Sequence, residues 1–158
     1  MAKVLKRSFL LLVIVMAAIQ FVRPSRTNPP VDSRNEITTV HPAPPEVAVT
    51  LQRSCNDCHS NRTAWSWYSN VAPASWLVAH DVNTGRSALN FSDWRAIDGE
   101  KRQEAAGKIC EEVKDREMPM TQYVLLHPHA RLSNPDVQAL CSWALQIAPG
   151  AGVKEDKD

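Results

Sequence analysis

The sequence predicts an all-α fold, in which one small helical domain follows an apolar N-terminal segment. Apolar residues recur at the three- and four-residue spacing of helices in several segments, and no segment alternates convincingly with the period of two that strands require. A chain of 158 residues and 17.6 kDa has room for one domain of ordinary size. With 44% hydrophobic and 22% charged residues, it has the composition of a chain that buries a core.

The charge balance excludes one class of partner. Eighteen Lys and Arg residues stand against seventeen Asp and Glu residues, for a formal net charge of +1. Nucleic-acid binding depends on a strongly basic surface, which this balance does not provide. We therefore expect no nucleic-acid partner.

Residues 1–22 have the pattern of a targeting segment. A positive start with Lys3, Lys6 and Arg7 precedes an apolar run over residues 9–22 that only Gln20 interrupts. No small-residue cleavage site follows, so we favour an uncleaved membrane anchor over a cleaved signal peptide. The sequence thus predicts an N-terminal transmembrane helix over residues 1–22.

Residues 23–45 are predicted to form a tether. Six of the eleven prolines lie in this stretch, which has little apolar content to offset the entropy of an ordered backbone. The domain is then expected over residues 46–149, with a disordered tail over residues 150–158.

Four helices are predicted in the domain. Pro44 and Pro45 suit the start of the first, whose apolar spacing continues to Cys55. The second is expected over residues 73–84, where proline occupies the first turn and Gly85 ends the helix.

The third and fourth helices have the clearest patterns. Residues 100–113 place apolar side chains at i, i+3, i+4 and i+7. The fourth helix opens with an S-x-x-D cap from Ser133 to Asp136 and is stopped by Pro149 and Gly150. The apolar stripes are Ala106, Ile109, Cys110 and Val113 in the third helix and Val137, Leu140, Cys141, Ala144 and Leu145 in the fourth.

The sequence C-x-x-C-H at Cys55, Cys58 and His59 is the attachment signature of c-type haem. On one helical turn, two thiols three residues apart can each form a thioether to a haem vinyl group, and the adjacent imidazole can ligate the iron. The alternatives are a thioredoxin-like dithiol, half of a zinc site, or chance. A dithiol enzyme needs an α/β pattern and zinc needs a second Cys/His cluster, and the sequence offers neither.

The distal side of the iron requires a second ligand or stays open. Met118 is the preferred candidate, because it precedes Pro119 in a loop after a helix, and its thioether suits ferrous iron. Met120, His127 and His129 remain rivals, and Met118 and Met120 are alternatively core fillers.

Four aromatic residues soon follow the motif, namely Trp65, Trp67, Tyr68 and Trp76. They are predicted either to pack against the haem and exclude water or to belong to an ordinary aromatic core. Cys110 and Cys141 hold equivalent places in their helices. They either pair as a disulfide in an oxidising compartment or remain two buried thiols.

The chain resembles the bacterial haem-binding domain family of membrane-anchored mono-haem proteins over about residues 46–147. By this resemblance, Cys55 and Cys58 attach one haem c covalently, His59 is the proximal ligand, and the Met-Pro element offers Met118 as the distal one. The matching elements are Cys55-x-x-Cys58-His59-Ser60, Thr63-Ala-Trp-Ser-Trp67-Tyr68, Ala72-Pro-Ala-Ser-Trp76-Leu-Val, Gly85-Arg86-Ser-Ala-Leu89-Asn90-Phe91-Ser92-x-Trp94, Met118-Pro119-x-x-x-Tyr123, His127-Pro-x-Ala-Arg131-Leu132-Ser133 and Trp143.

The resemblance and the motif together suggest a cytochrome c-like helical domain around a covalent haem. We expect a non-enzymatic protein that passes single electrons between redox proteins. A haem-based redox or gas sensor with a labile distal ligand is the alternative. Because thioether formation takes place outside the cytoplasm, the domain is expected on the periplasmic side of the cytoplasmic membrane, held by a single-pass anchor.

Overall fold

The computed structural model describes residues 1–148, and within that range all regular elements are helical, which confirms the all-α fold. The predicted helix stop at residues 149–150 and the predicted tail lie outside the described residues. The helices are α1 Ala2–Ile19, α2 Ile37–Val40, α3 Pro45–Ser54, α4 Asn56–His59, α5 Ala74–Ala88, α6 Gly99–Lys114, α7 Thr121–Leu126 and α8 Asn134–Ile147, with 3-10 turns at Ser33–Asn35, Trp67–Asn70, Phe91–Ala96 and Pro128–Ala130.

Helix α1 does not support the transmembrane helix that the sequence predicts over residues 1–22. Within residues 1–148, none of the helices combines the length and the apolar character that crossing a bilayer demands. The physical reason is that three cations, Lys3, Lys6 and Arg7, occupy the first turns of an 18-residue helix. The part that follows them is roughly 18 Å long, against about 30 Å for the hydrocarbon core.

Residues 23–45 lie along the domain instead of forming a free tether. The Asn28 side chain donates to the carbonyl oxygen of Thr63 at 2.9 Å, and Arg62 pairs with Glu36 at 2.7 Å. Ile37 is only 2% exposed and belongs to the core. The packed domain therefore begins before residue 46. This segment has no long apolar run, and polar side chains together with Ile37 hold it to the rest of the domain.

The core is built mainly between α6 and α8. All four predicted α6 stripe residues are buried, as are Leu140, Cys141 and Ala144 of the α8 stripe. Cys110 and Cys141 form a disulfide with their Cα atoms 4.5 Å apart, which settles the alternative that the sequence left open. The two helices are thus held together by both apolar packing and a covalent bond.

The N-terminus of α8 confirms the predicted cap and adds tertiary partners to it. Ser133 and Asp136 form a reciprocal capping box. Asp136 also pairs with Arg53 of α3 at 2.8 Å and accepts a hydrogen bond from Thr50 at 3.2 Å. Partial burial raises the pKa of Asp136, but the bonds from Ser133 and Arg53 outweigh it and lower that pKa to about 2.

Helix α5 runs through Gly85, which the sequence predicts as its end. A Cβ atom at this position would lie 2.6 Å from the carbonyl oxygen of Cys58. Gly85 is therefore required by the close approach of α5 to the cysteine motif and not by helix termination.

Candidate cofactor site

The cysteine motif forms a turn of its own. Helix α3 ends at Ser54, and Cys55 leaves the helical conformation with φ −127° and ψ −38°. Helix α4 then holds Cys58 and His59, whose amides both donate to the carbonyl oxygen of Cys55, at 3.2 and 3.0 Å. The two thiols and the imidazole therefore share one short turn, as covalent haem attachment requires.

The orientation of the His59 ring is fixed by the backbone that follows α5. Its Nδ1 atom lies 3.1 Å from the carbonyl oxygen of Leu89, and a carbonyl only accepts, so Nδ1 carries the proton. Burial lowers the pKa of His59, although the bond to Leu89 opposes this effect. The ring is thus neutral, with the lone pair on Nε2, which is the form that ligates a metal. The ring of Phe91 packs 5.8 Å away.

Cys55 and Cys58 are not joined to each other as a disulfide. Burial raises the pKa of Cys55 to about 12 and that of Cys58 to about 11. Reactive dithiols have the opposite shift, because their thiolates are stabilised by nearby cations or helix N-termini. This environment does not match the thioredoxin-like alternative.

A cleft of about 670 Å³ opens beside the motif. Its volume is within the range of small-molecule and cofactor sites, roughly 300 to 1,000 Å³. Cys55, His59 and Met118 contribute to one continuous lining, whereas Cys58 faces Gly85 of α5. The apolar part of the lining comes from Leu89, Phe91, Ala96, Ile97, Ala105, Ile109 and Val113.

The cleft suits a large planar group that has an apolar body and polar edges. Its walls are apolar along α6 and the turn before it. The lining also carries three cations, Arg86, Lys101 and Lys108, and three carboxylates, Asp93, Glu104 and Glu112, of which Glu104 pairs with Lys108 at 2.8 Å. An apolar wall excludes water from a buried ring, and cations at the edge match carboxylates. The residues on this lining, among them Cys55, His59 and Met118, therefore fit a haem.

Met118 is the only one of the four distal candidates that lines this cleft among the described residues. The Met118 and Glu117 amides both donate to the carbonyl oxygen of Glu112, which folds the chain back against the end of α6. Arg116 makes this reversal with φ 62°, and its guanidinium donates to the carbonyl oxygen of Leu132 at 3.1 Å. Met118 is thus held by backbone bonds on a turn that follows the wall of the cleft.

The rival ligands have other partners. Met120 caps α7, and its sulfur accepts a bond from Gln122 at 3.3 Å. His127 uses both ring nitrogens, since Nδ1 donates to the carbonyl oxygen of Tyr123 at 3.1 Å and Nε2 lies 3.2 Å from the hydroxyl of Tyr68. His129 is exposed and lies edge-on to His127, with ring centroids 5.8 Å apart.

None of the four aromatic residues predicted to pack on the haem lines the cleft within residues 1–148. Trp67 is 77% exposed, and Tyr68 contacts His127. Trp65 and Trp76 instead hold the N-terminal segment, because their indole nitrogens donate to Asn28 and to the carbonyl oxygen of Val22. The aromatic wall of the cleft is Phe91, which the sequence patterns did not single out as a site residue.

Two further residues shape the motif and were not predicted as site residues. Arg86 donates to the carbonyl oxygen of Ser60 at 2.8 Å and to the Thr63 hydroxyl at 2.8 Å, and it also binds Asn28 at 2.7 Å. Tyr123 donates to Asp57 inside the C-x-x-C sequence at 2.7 Å. Both belong to elements of the family resemblance, which was the only sequence signal that could have indicated them.

Comparison with known proteins identifies a family. A family model described as a haem-binding domain matches residues 14–146 of the chain. Neither the curated proteins nor the solved structures yield a match.

Proposed function

The chain belongs to the haem-binding domain family, and we propose that it holds one covalent haem c and uses it to pass single electrons between redox proteins. The observation that carries the proposal is the shared lining of one cleft by Cys55, His59 and Met118. When bound, the haem supplies an iron that alternates between two oxidation states.

In this proposal, the polypeptide attaches and orients the cofactor and makes or breaks no substrate bond. Cys55 and Cys58 would form the two thioethers, and the neutral His59, oriented by Leu89, would ligate the iron. Met118 would supply the second iron ligand, a soft sulfur that favours ferrous iron. The apolar walls from α6 keep water away from the ring.

The proposed location is the outer side of a membrane. Thioethers of this type form outside the cytoplasm, and the Cys110–Cys141 disulfide is typical of an oxidising compartment. The basic start and exposed apolar surface of α1 support export and attachment to the membrane. The expected partners are other redox proteins and not nucleic acids.

The decisive experiment compares purified wild type with Met118→Ala, with Met120→Ala as the matched control. We expect haem to stay with the wild-type polypeptide after denaturation and to add one haem to its mass. We also expect the long-wavelength sulfur-to-iron band of the oxidised protein to disappear only in Met118→Ala. A polypeptide at its bare mass would refute covalent attachment.

A second measurement addresses electron transfer. With Met118 bound, the ferrous protein should be low-spin and should take up carbon monoxide slowly, whereas Met118→Ala should take it up rapidly. Rapid uptake by the wild type would refute the stable six-coordinate iron on which the electron-transfer proposal depends, and would instead favour the sensor.

A further inference from the structure

We propose that a surface patch formed by Trp67, Val71, Trp76 and Leu77 docks the domain on a lipid bilayer with anionic headgroups. This inference rests on the membrane attachment proposed above, and it specifies which face of the domain meets the lipid. We call these four residues the aromatic patch.

The aromatic patch is unusually exposed for its chemistry. Its side chains are 77%, 46%, 37% and 54% exposed, in chain order. Trp67 lies on the turn Trp67–Asn70, Val71 directly follows that turn, and Trp76 and Leu77 lie at the start of α5, which packs on the turn. A cluster of exposed apolar residues marks an interaction surface, and tryptophan concentrates at the boundary between lipid and water.

Hydrogen bonds hold the aromatic patch against the end of α1. The Gln20 side chain both donates to the carbonyl oxygen and accepts from the amide of Ala72, at 3.0 and 2.9 Å. Trp76 donates to the carbonyl oxygen of Val22 at 2.7 Å. Phe21 and Val22, which follow α1 and are 87% and 64% exposed, place further apolar surface between the patch and the helix.

The exposure of α1 favours lipid over a protein as the partner of this surface. None of its 18 residues is buried, and its large apolar side chains from Phe9 to Met16 are all more than 40% exposed. A protein partner docked on one face would leave the opposite apolar face in water, whereas lipid can cover the apolar side chains that follow Arg7 without the helix crossing the bilayer. Because the aromatic patch is continuous with α1, the same lipid surface reaches it.

The charge distribution favours an anionic surface. Residues 1–31 and 58–80, which supply α1 and the aromatic patch, contain no Asp or Glu, although the whole chain has seventeen. The same two segments contain Lys3, Lys6, Arg7, Arg23 and Arg26, and also Arg62, whose charge is paired with Glu36 at 2.7 Å. Basic residues beside an apolar surface attract anionic headgroups.

The test uses the full-length haem-loaded chain and vesicles of an anionic phospholipid, with zwitterionic vesicles as the comparison. Oxidative footprinting read by mass spectrometry reports the accessibility of Trp67 and Leu77 directly. Val49 on α3, which is 57% exposed and outside the patch, is the internal reference. We expect anionic vesicles to lower the labelling of Trp67 and Leu77 at least threefold and to leave Val49 unchanged.

A variant supplies the second arm. Trp67→Ser with Leu77→Ser should lower flotation with anionic vesicles by roughly tenfold, whereas Val49→Ser should float like wild type. If the wild type floats while Trp67 and Leu77 stay accessible, the patch does not dock, although membrane attachment stands. If the wild type does not float, attachment and docking both fail. The haem content of the same sample is measured separately, so that a failure of the proposed haem binding can be distinguished from a failure of membrane attachment.

Discussion

The Tyr123 hydroxyl donates a 2.7 Å hydrogen bond to Oδ2 of Asp57. Asp57 lies between the two motif cysteines, and Tyr123 belongs to the segment that follows Met118. The same carboxylate accepts from the Ala64 amide at 2.9 Å, so three parts of the chain meet at one side chain. Burial and the bond to Asp57 raise the pKa of Tyr123, which keeps its hydroxyl a donor.

Replacing Tyr123 with Phe should therefore loosen the segment that carries the distal candidate. Losing a hydrogen bond to a charged group costs roughly 1.5 to 3 kcal/mol of unfolding free energy. We expect this loss in thermal or denaturant unfolding, together with a weaker sulfur-to-iron band and faster carbon monoxide uptake.

Tyr68→Phe is the matched control, because the partner of Tyr68 is the ring of His127, which does not line the cleft. Tyr68→Phe should lower the free energy of unfolding by about 1 kcal/mol or less and leave the absorption spectrum unchanged. Equal spectral changes in both variants would contradict a positioning role for Tyr123.

Gly85→Ala should disrupt the cysteine motif. The new methyl group would lie 2.6 Å from a backbone carbonyl oxygen, which cannot move aside as a flexible side chain can. We expect about 1 to 3 kcal/mol of destabilisation and less covalent haem in the purified protein. Gly99→Ala is the control, because a methyl group there would meet nothing within 4 Å beyond its own neighbours along the chain. Normal haem content in Gly85→Ala would show that the close approach is not required.

Removing the disulfide should weaken the contact between α6 and α8. Cys110 and Cys141 are separated by 31 residues, and a loop of that size gives roughly 3 to 4 kcal/mol. The double variant Cys110→Ala with Cys141→Ala should lose this amount in denaturant unfolding. A thiol reductant should lower wild-type stability to the same level, because it does not cleave thioethers. Labelling of Cys110 and Cys141 themselves by a thiol reagent in the unreduced, denatured wild type, located by peptide mass spectrometry, would contradict the bond.

Asp136 should make stability fall in acid. Its folded pKa of about 2 lies below the ordinary 3.8, so its contribution is present above about pH 4 and is lost as the pH falls through 2. Asp136→Asn should lower the free energy of unfolding by roughly 2 kcal/mol at neutral pH. Its stability should also decline less steeply than that of the wild type between pH 4 and pH 2. Asp32→Asn, which alters an exposed pair with Arg34, should retain the wild-type profile. If the stability of Asp136→Asn falls in acid as steeply as that of the wild type, groups other than Asp136 cause the loss of stability.

Several features depend on residues that are close in sequence, and these were predictable. The C-x-x-C-H turn, the stripe of α6 and the S-x-x-D cap of α8 each extend over a few turns at most. Helical periodicity and capping are set by neighbours along the backbone, so the sequence states them directly. The bounds of α6 accordingly match the prediction to within one residue at each end.

The sequence by itself determined an all-α domain, its strongest helices and the C-x-x-C-H turn. Only the tertiary structure decided that Met118 and not Met120 or His127 lines the cleft, that Cys110 pairs with Cys141, and that residues 23–45 lie along the domain. The hydrogen bond between Asp57 and Tyr123 was likewise visible only in the tertiary structure, since 66 residues separate its partners. Such contacts form when helices pack against each other. Packing brings together residues that are far apart in the sequence, and no periodic pattern in the sequence predicts these pairs.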